Sequence, residues 1–376
     1  MLKDLFLILF KIKGDLMFYT FTYILFSFMF VLFVFLSSRF LKEQTLKSNF
    51  FKFLLSIILS LYSTYYSTRF VLPDTLNYDW SFHYRFPPIY NSFQKIVESK
   101  NEIGFVYLNK LIYILNGDTI HLFFIIALIF NFITISIIFK YTKNYILTLT
   151  LFFFSQYYFF SFFSLKQALA ISFGILAISN FVEKRYLIYF FYTLIAILFH
   201  STAIILTILF FILLFNYKRK KITPLLIISL ISLLFFKPLL NILIEIFPII
   251  NIYLLEDPTS IEEFSNNLST LFKGIPFYII TIYSLIYKDN IIRLGEFYYI
   301  FILCSLFCSV SWLFSINFYW LFRLNWYFAI FTILLVPVII KVIKTEEEKI
   351  IAIFLIYTPF FLITIRQIFI SSTYNI

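Results

Sequence analysis

Residues 164–201 read SLKQALAISFGILAISNFVEKRYLIYFFYTLIAILFHS. Two apolar helical runs, Leu165 to Phe181 and Tyr186 to Phe199, are joined by the charged turn Glu183-Lys184-Arg185. Lys166 and Gln167 open the first run, and His200 closes the second. An ionisable residue at the centre of a transmembrane helix costs ~2.5–3.5 kcal/mol on insertion scales, so its default reading is a buried functional group with a partner.

The whole chain shares this character. It is 62% apolar and 13% charged, with a mean hydropathy of +0.94, against about 45–50% and about 25% for a soluble domain. That composition belongs in a bilayer and leaves no large soluble domain. The net charge of +11 does not indicate nucleic acid, because the basic residues gather in short loops as a membrane protein requires. Cys304 and Cys308, one helical turn apart, act as small apolar residues, not as a metal site.

The expected fold is all-α: a polytopic membrane helix bundle of about twelve crossings, each needing ~20 mostly apolar residues. The candidate spans are Met17 to Leu36, Phe50 to Ser67, His121 to Phe139, Tyr145 to Phe163, Leu165 to Phe181 and Tyr186 to Phe199. They continue with Thr202 to Phe215, Ile222 to Leu243, Leu271 to Tyr287, Leu294 to Phe314, Phe318 to Ile340 and Ile350 to Phe369. Residues 17–376 form one membrane domain; residues 1–16, with Lys3, Lys11 and Lys13, suit an interfacial helix, or translation starts at Met17.

Lys and Arg fall in alternate connections: Arg39 to Lys52, Lys140 and Lys143, Lys184 and Arg185, Lys218 to Lys221, Lys288 and Arg293, and Lys341 to Lys349. Those loops are therefore expected in the cytoplasm. The connections 68–120 and 244–270, the turns at Ser164, His200 and Asn317, and both termini then face outward.

The outer loop 68–120 far exceeds the ~12–15 residues of an ordinary connection and is read as functional. It carries Asp74, Tyr78, Asp79, Trp80, His83 and Arg85, then Glu102 to Asn116, which reads as an amphipathic surface helix. Glu102 falls in the first turn, where the helix dipole favours a carboxylate even without a function.

Ser164-Leu165-Lys166-Gln167 fits a capping box, which accounts for Gln167 but not for a cation in a first turn. Lys166 either snorkels to the headgroups or faces the bundle; the small-residue stripe Ala170, Gly174 and Ala177 favours the bundle. His200 is a core histidine, an interfacial residue or a general base, at the same outer level as Lys166. Arg323 completes a basic cluster or belongs to an aromatic belt with Trp320, Trp326 and Tyr327. Nothing resembles a phosphate-binding glycine loop or a metal motif, and six glycines leave little room for one.

An outward cavity of cations, histidine, carboxylates and aromatics suits a sugar carried on a lipid pyrophosphate. Lys166, Gln167 and Arg323 are the candidates to hold the pyrophosphate, and Tyr78, Trp80 and Arg85 the candidates for the sugar. His200, Asp74 and Glu102 are the candidate bases. No cofactor or metal is needed, because pyrophosphate is already a leaving group.

The chain resembles the EpsG family of bacterial membrane proteins, itself similar to the Wzy polymerases of O-antigen and capsule synthesis. The resemblance rests on Asp74 and Tyr78, on Glu102, Gly104 and Phe105, on Lys166, Gln167 and Ala170, on Phe199, His200 and Ala203, and on Arg323, Tyr327 and Phe328. Lys166 stands where the family pattern has arginine, keeping the charge but losing the bidentate fork. The resemblance implies transfer of a growing glycan from undecaprenyl pyrophosphate to a hydroxyl of another lipid-linked repeat unit, on the outer face of the bacterial cytoplasmic membrane. Donor, acceptor and the bilayer are then the partners, with a separate chain-length regulator.

Three other classes fit less well. A flippase would carry charges through the depth of several spans, whereas here they gather at the outer level. A membrane acyltransferase would place its histidine within reach of a cytoplasmic donor. A structural subunit leaves the long outer loop unexplained, while another lipid-linked-sugar glycosyltransferase remains the nearest alternative.

Overall fold

A computed structural model of the protein describes residues 22–69, 74–99, 101–219, 268–315 and 321–373. Among them the regular elements are all helices, with no strand. The segment 1–16, the eighth expected span, residues 244–267 of the second long connection, Lys220, Lys221 and the turn at Asn317 lie outside the described residues.

The chain forms two compact units: Met1–Asn180, Tyr186–Ser201 and Tyr357–Ile376 make the first, Phe181–Arg185 and Thr202–Ile356 the second. In the first unit run α1 (Thr22–Phe40), α2 (Glu43–Leu46), α3 (Asn49–Arg69), α4 (Thr75–Trp80), α5 (Phe93–Glu98), α6 (Ile103–Ile114) and α7 (Thr119–Tyr141). Then come α8 (Tyr145–Phe153), α9 (Gln156–Phe160), most of α10 (Leu165–Val182) and α11 (Tyr186–Phe199). The second unit holds α12 (Ile205–Arg219), α13 (Leu268–Ile286), α14 (Lys288–Leu294), α15 (Tyr298–Phe314) and α16 (Phe322–Val342). The last helix, α17 (Glu346–Thr373), starts in the second unit and ends in the first.

Five described helices are long and apolar enough to cross a membrane: α1, α7, α10, α16 and the stretch Glu346–Arg366 of α17. Five more apolar helices are shorter, among them α6, α11 and α15. The protein is thus a multi-pass helical membrane protein. In α3, Ser56, Ser60, Ser63 and Ser67 form a buried hydroxyl stripe, and α3 packs along α7. Asn131 of α7 donates to Ser60 Oγ at 3.1 Å. Interhelical hydrogen bonds of this kind and small side chains replace the hydrophobic drive that lipid cannot supply.

The fourth expected span, Tyr145 to Phe163, departs from the sequence reading: it is not one helix but α8 and α9, separated at Phe154-Ser155. Ser155 and Ser161 turn their hydroxyls onto local carbonyls, Phe152 O at 2.5 Å and Tyr158 O at 2.7 Å, the competition that makes serine a helix terminator. A broken helix in an apolar setting must have its freed carbonyls satisfied by protein. Here Tyr23 donates to Phe153 O (2.9 Å), Thr364 to Phe154 O (2.6 Å) and Ser67 to Phe162 O (2.7 Å). Hydropathy sees only an apolar run; hydroxyls from α1, α3 and α17 make the break tolerable.

In the second unit α15 and α16 form an antiparallel hairpin zipped by rings, Trp312 on Trp326 (5.8 Å), Phe307 on Phe328 (5.7 Å) and Phe301 on Phe331 (5.1 Å). Thr281 of α13 meets Ser305 and Ser309 of α15 through hydroxyl contacts of 2.6 and 2.7 Å. Cys304 and Cys308 are buried free thiols, in keeping with their reading as small apolar residues.

Candidate functional site

Glu102 is the N-cap of α6, with an extended backbone and no capping hydrogen bond from its side chain. The carboxylate instead receives Lys166 Nζ at 2.7 Å, with both side chains about three-quarters buried. That is the short separation of a charge-assisted bond. Lys166 is therefore not a free snorkelling cation. Its ammonium also lies 5.4 Å from the centre of the Phe105 ring, within cation–π range. Phe105 in turn packs on Tyr78 of α4, with ring centres 5.5 Å apart.

The register of α6 depends on Gly104. A Cβ at this position would meet the Leu198 carbonyl oxygen at 2.9 Å and its carbon at 3.1 Å. Only a residue with no side chain lets the first turn of α6 lie so close to the end of α11. Leu198 is two residues before His200, so this approach brings Glu102 within electrostatic reach of the imidazole. Burial alone would raise the Glu102 carboxyl. The Lys166 charge and hydrogen bond, Glu102's own backbone N–H and the charge of His200 together hold it below the usual carboxylate range. Phe199 stacks on Phe173 at 5.6 Å with rings 6° from parallel, fixing the end of α11 on α10.

At the far end of α6, Asn116 takes φ 56°. Gly117 N–H bonds Ile112 O at 2.9 Å, and Asn116 N–H bonds Tyr113 O at 3.0 Å. This double closure with a left-handed asparagine ends the helix and turns the chain into α7.

The other candidates are distributed as follows. Asp74 is the N-cap of α4 and Gln167 is buried at the head of α10. Trp80 is 56% exposed and Tyr84, one turn on, 69%; Arg85, in the π-helical turn Ser81–Arg85, is exposed. Arg323 lies on α16, in the second unit, where the Tyr327 hydroxyl meets that of Thr202 at 3.1 Å.

The sequence reading missed three things. It quoted Gly104 only as part of a pattern, whereas the glycine sets the approach of two helices. It gave no role to Thr119, whose hydroxyl donates to Asp79 at 2.6 Å and lies 3.3 Å from His83 Nε2. It also passed over Asp118 and His121, which form a reciprocal capping box on α7. An Asp followed three residues later by a side chain able to reach back, ahead of an apolar run, is the signal that would have found it. Among the described residues no cluster of histidine, cysteine and carboxylates could hold a metal.

Fold and site thus define a multi-pass helical membrane protein with a paired cation and carboxylate, a histidine and aromatic rings at one end of its first unit. The EpsG family profile matches residues 66–376, and the chain belongs to the EpsG family, which marks it as a membrane protein of polysaccharide-polymerase type. No curated protein and no solved structure matches it.

Proposed function

We propose that the protein polymerises oligosaccharide repeat units on the outer face of the bacterial cytoplasmic membrane. The donor is a glycan on undecaprenyl pyrophosphate; the acceptor is a hydroxyl of a second lipid-linked repeat unit. That hydroxyl attacks the anomeric carbon, the bond from this carbon to the pyrophosphate oxygen breaks, and undecaprenyl pyrophosphate leaves with the electron pair. The hydroxyl proton passes to a base, for which His200, Asp74 and Glu102 are the candidates.

Lys166, assisted by Gln167, offsets the pyrophosphate charge, and Tyr78, Trp80 and Arg85 hold sugar. Of the shorter apolar helices, α11, α12, α13 and α15 serve as further crossings, towards about twelve in all, while α6 lies on the outer surface. Chain length is set by a separate regulator. The observation that carries the reading is the convergence, inside a family-matched stretch, of the Lys166–Glu102 pair, Phe105 with Tyr78, and His200.

A deletion strain tests it. Surface glycan reduced to a single repeat unit supports a polymerase; complete loss of surface glycan supports a flippase; an unchanged ladder contradicts both.

A further inference from the structure

The only ion pair that Lys166 makes among the described residues is with Glu102. That partner is itself one of the candidate bases. If Lys166 binds pyrophosphate, as the proposed function holds, the ligand and Glu102 want the same ammonium. An ammonium is a compact charge with three donors, but only one strongly charged partner can sit at 2.7 Å on the line the structure records.

Resting on that reading, we infer that the Glu102–Lys166 pair is a latch: the donor's pyrophosphate displaces Glu102 from Lys166, and the released carboxylate then takes the proton of the acceptor hydroxyl. The device makes the base available only when a donor is bound. Three features fit it. Glu102 spends no capping bond on α6, so leaving Lys166 does not unravel the helix start. The Gly104–Leu198 approach fixes the Glu102 backbone, so a released carboxylate swings about a fixed point. The Phe105 ring lies 5.4 Å from the Lys166 ammonium, a contact made without the carboxylate.

Once Lys166 is engaged by phosphate, Glu102 keeps its burial and loses its strongest cation. With the cation gone, burial is opposed less and the basicity of the carboxylate rises. In the resting pair the same group is a poor base. His200 then acts beside it as a cation on the pyrophosphate.

The test is the binding of inorganic pyrophosphate to the full-length protein in nanodiscs, by calorimetry, on a double-mutant cycle. Glu102→Gln is expected to tighten binding at least about fivefold, the factor that even a strong exposed pair would withhold. In a Lys166→Met background the same change is expected to give no gain, because the competition is for Lys166. Unchanged or weaker binding by Glu102→Gln, an equal gain without Lys166, or no binding by any variant overturns the latch.

A second measurement needs no Glu102 variant. Infrared difference spectra of the unaltered protein are expected to show a carboxylate band shifting on pyrophosphate addition, lost in Lys166→Met; no shift overturns the latch. These readouts are independent of polymer formation. A deletion strain with an unchanged glycan ladder would sink the polymerase reading and with it the base role given to Glu102, whereas a flat binding cycle would sink the latch and leave the polymerase reading standing.

Discussion

Gly104→Ala is the sharpest structural perturbation of this site. The added methyl would stand 2.9 Å from the Leu198 oxygen and 3.2 Å from its Cβ, where ordinary contact begins at 3.4 Å. The obstacle is backbone, which no rotamer change relieves, so α6 must retreat by about 0.5 Å. Overpacking of this kind costs ~1–3 kcal/mol. The better helix propensity of alanine returns up to ~1 kcal/mol, leaving a net loss of ~0–2 kcal/mol. Activity is expected to fall much further, since a displacement of about 1 Å at a catalytic group costs on the order of 100-fold. Purified variant and wild type would be compared by thermal unfolding and by polymer synthesis per mole of protein. The expected result is a melting shift of a few degrees with at least about a tenfold loss of rate. Leu198→Ala, which removes a half-exposed side chain but leaves its carbonyl in place, should keep the rate. Wild-type polymerisation by Gly104→Ala, or equal losses in both variants, would refute the close-approach argument.

Three further outcomes are expected. Thr364→Val leaves the part-buried Phe154 carbonyl without its 2.6 Å hydroxyl donor and should cost about 1 kcal/mol of stability in detergent unfolding; an unchanged midpoint would mean that the α8–α9 break does not rely on α17. Single cysteines at Asn116 and Lys143, at opposite ends of α7, should be labelled by an impermeant thiol reagent from outside and from inside respectively, over a low background because the native thiols are buried; labelling of both from one side overturns the outward orientation. If His200 acts as a phosphate-side cation, His200→Lys should retain much of the polymerisation that His200→Gln loses; loss in both makes it the base instead, and normal polymer in both makes it structural.

The helical class was legible because composition and the placement of lysine and arginine are one-dimensional properties of the chain. Helix limits were legible where a polar residue stops an apolar run, as at Tyr186 and Phe199, which bound α11 as read. The break between α8 and α9 was not, because Tyr23, Ser67 and Thr364 satisfy it from remote parts of the sequence. At the site, Lys166, Glu102 and His200 could be singled out as polar groups at one membrane level. That Lys166 and Glu102 are partners could not, since each was assigned a role on its own. Gly104 shows why: its importance lies in the Leu198 carbonyl it faces, and a sequence carries no record of which backbone lies opposite a missing side chain.

In the proposed reaction Lys166 is the cation that holds the donor pyrophosphate while the glycan is transferred from it. It is tested most directly by reconstituting purified protein with undecaprenyl-pyrophosphate-linked repeat units and resolving glycan length over time. The account predicts a ladder for the wild type, a ladder for Lys166→Arg, which keeps the charge, and only single repeat units for Lys166→Ala present at equal amount in the membrane. A wild-type ladder from Lys166→Ala would contradict it.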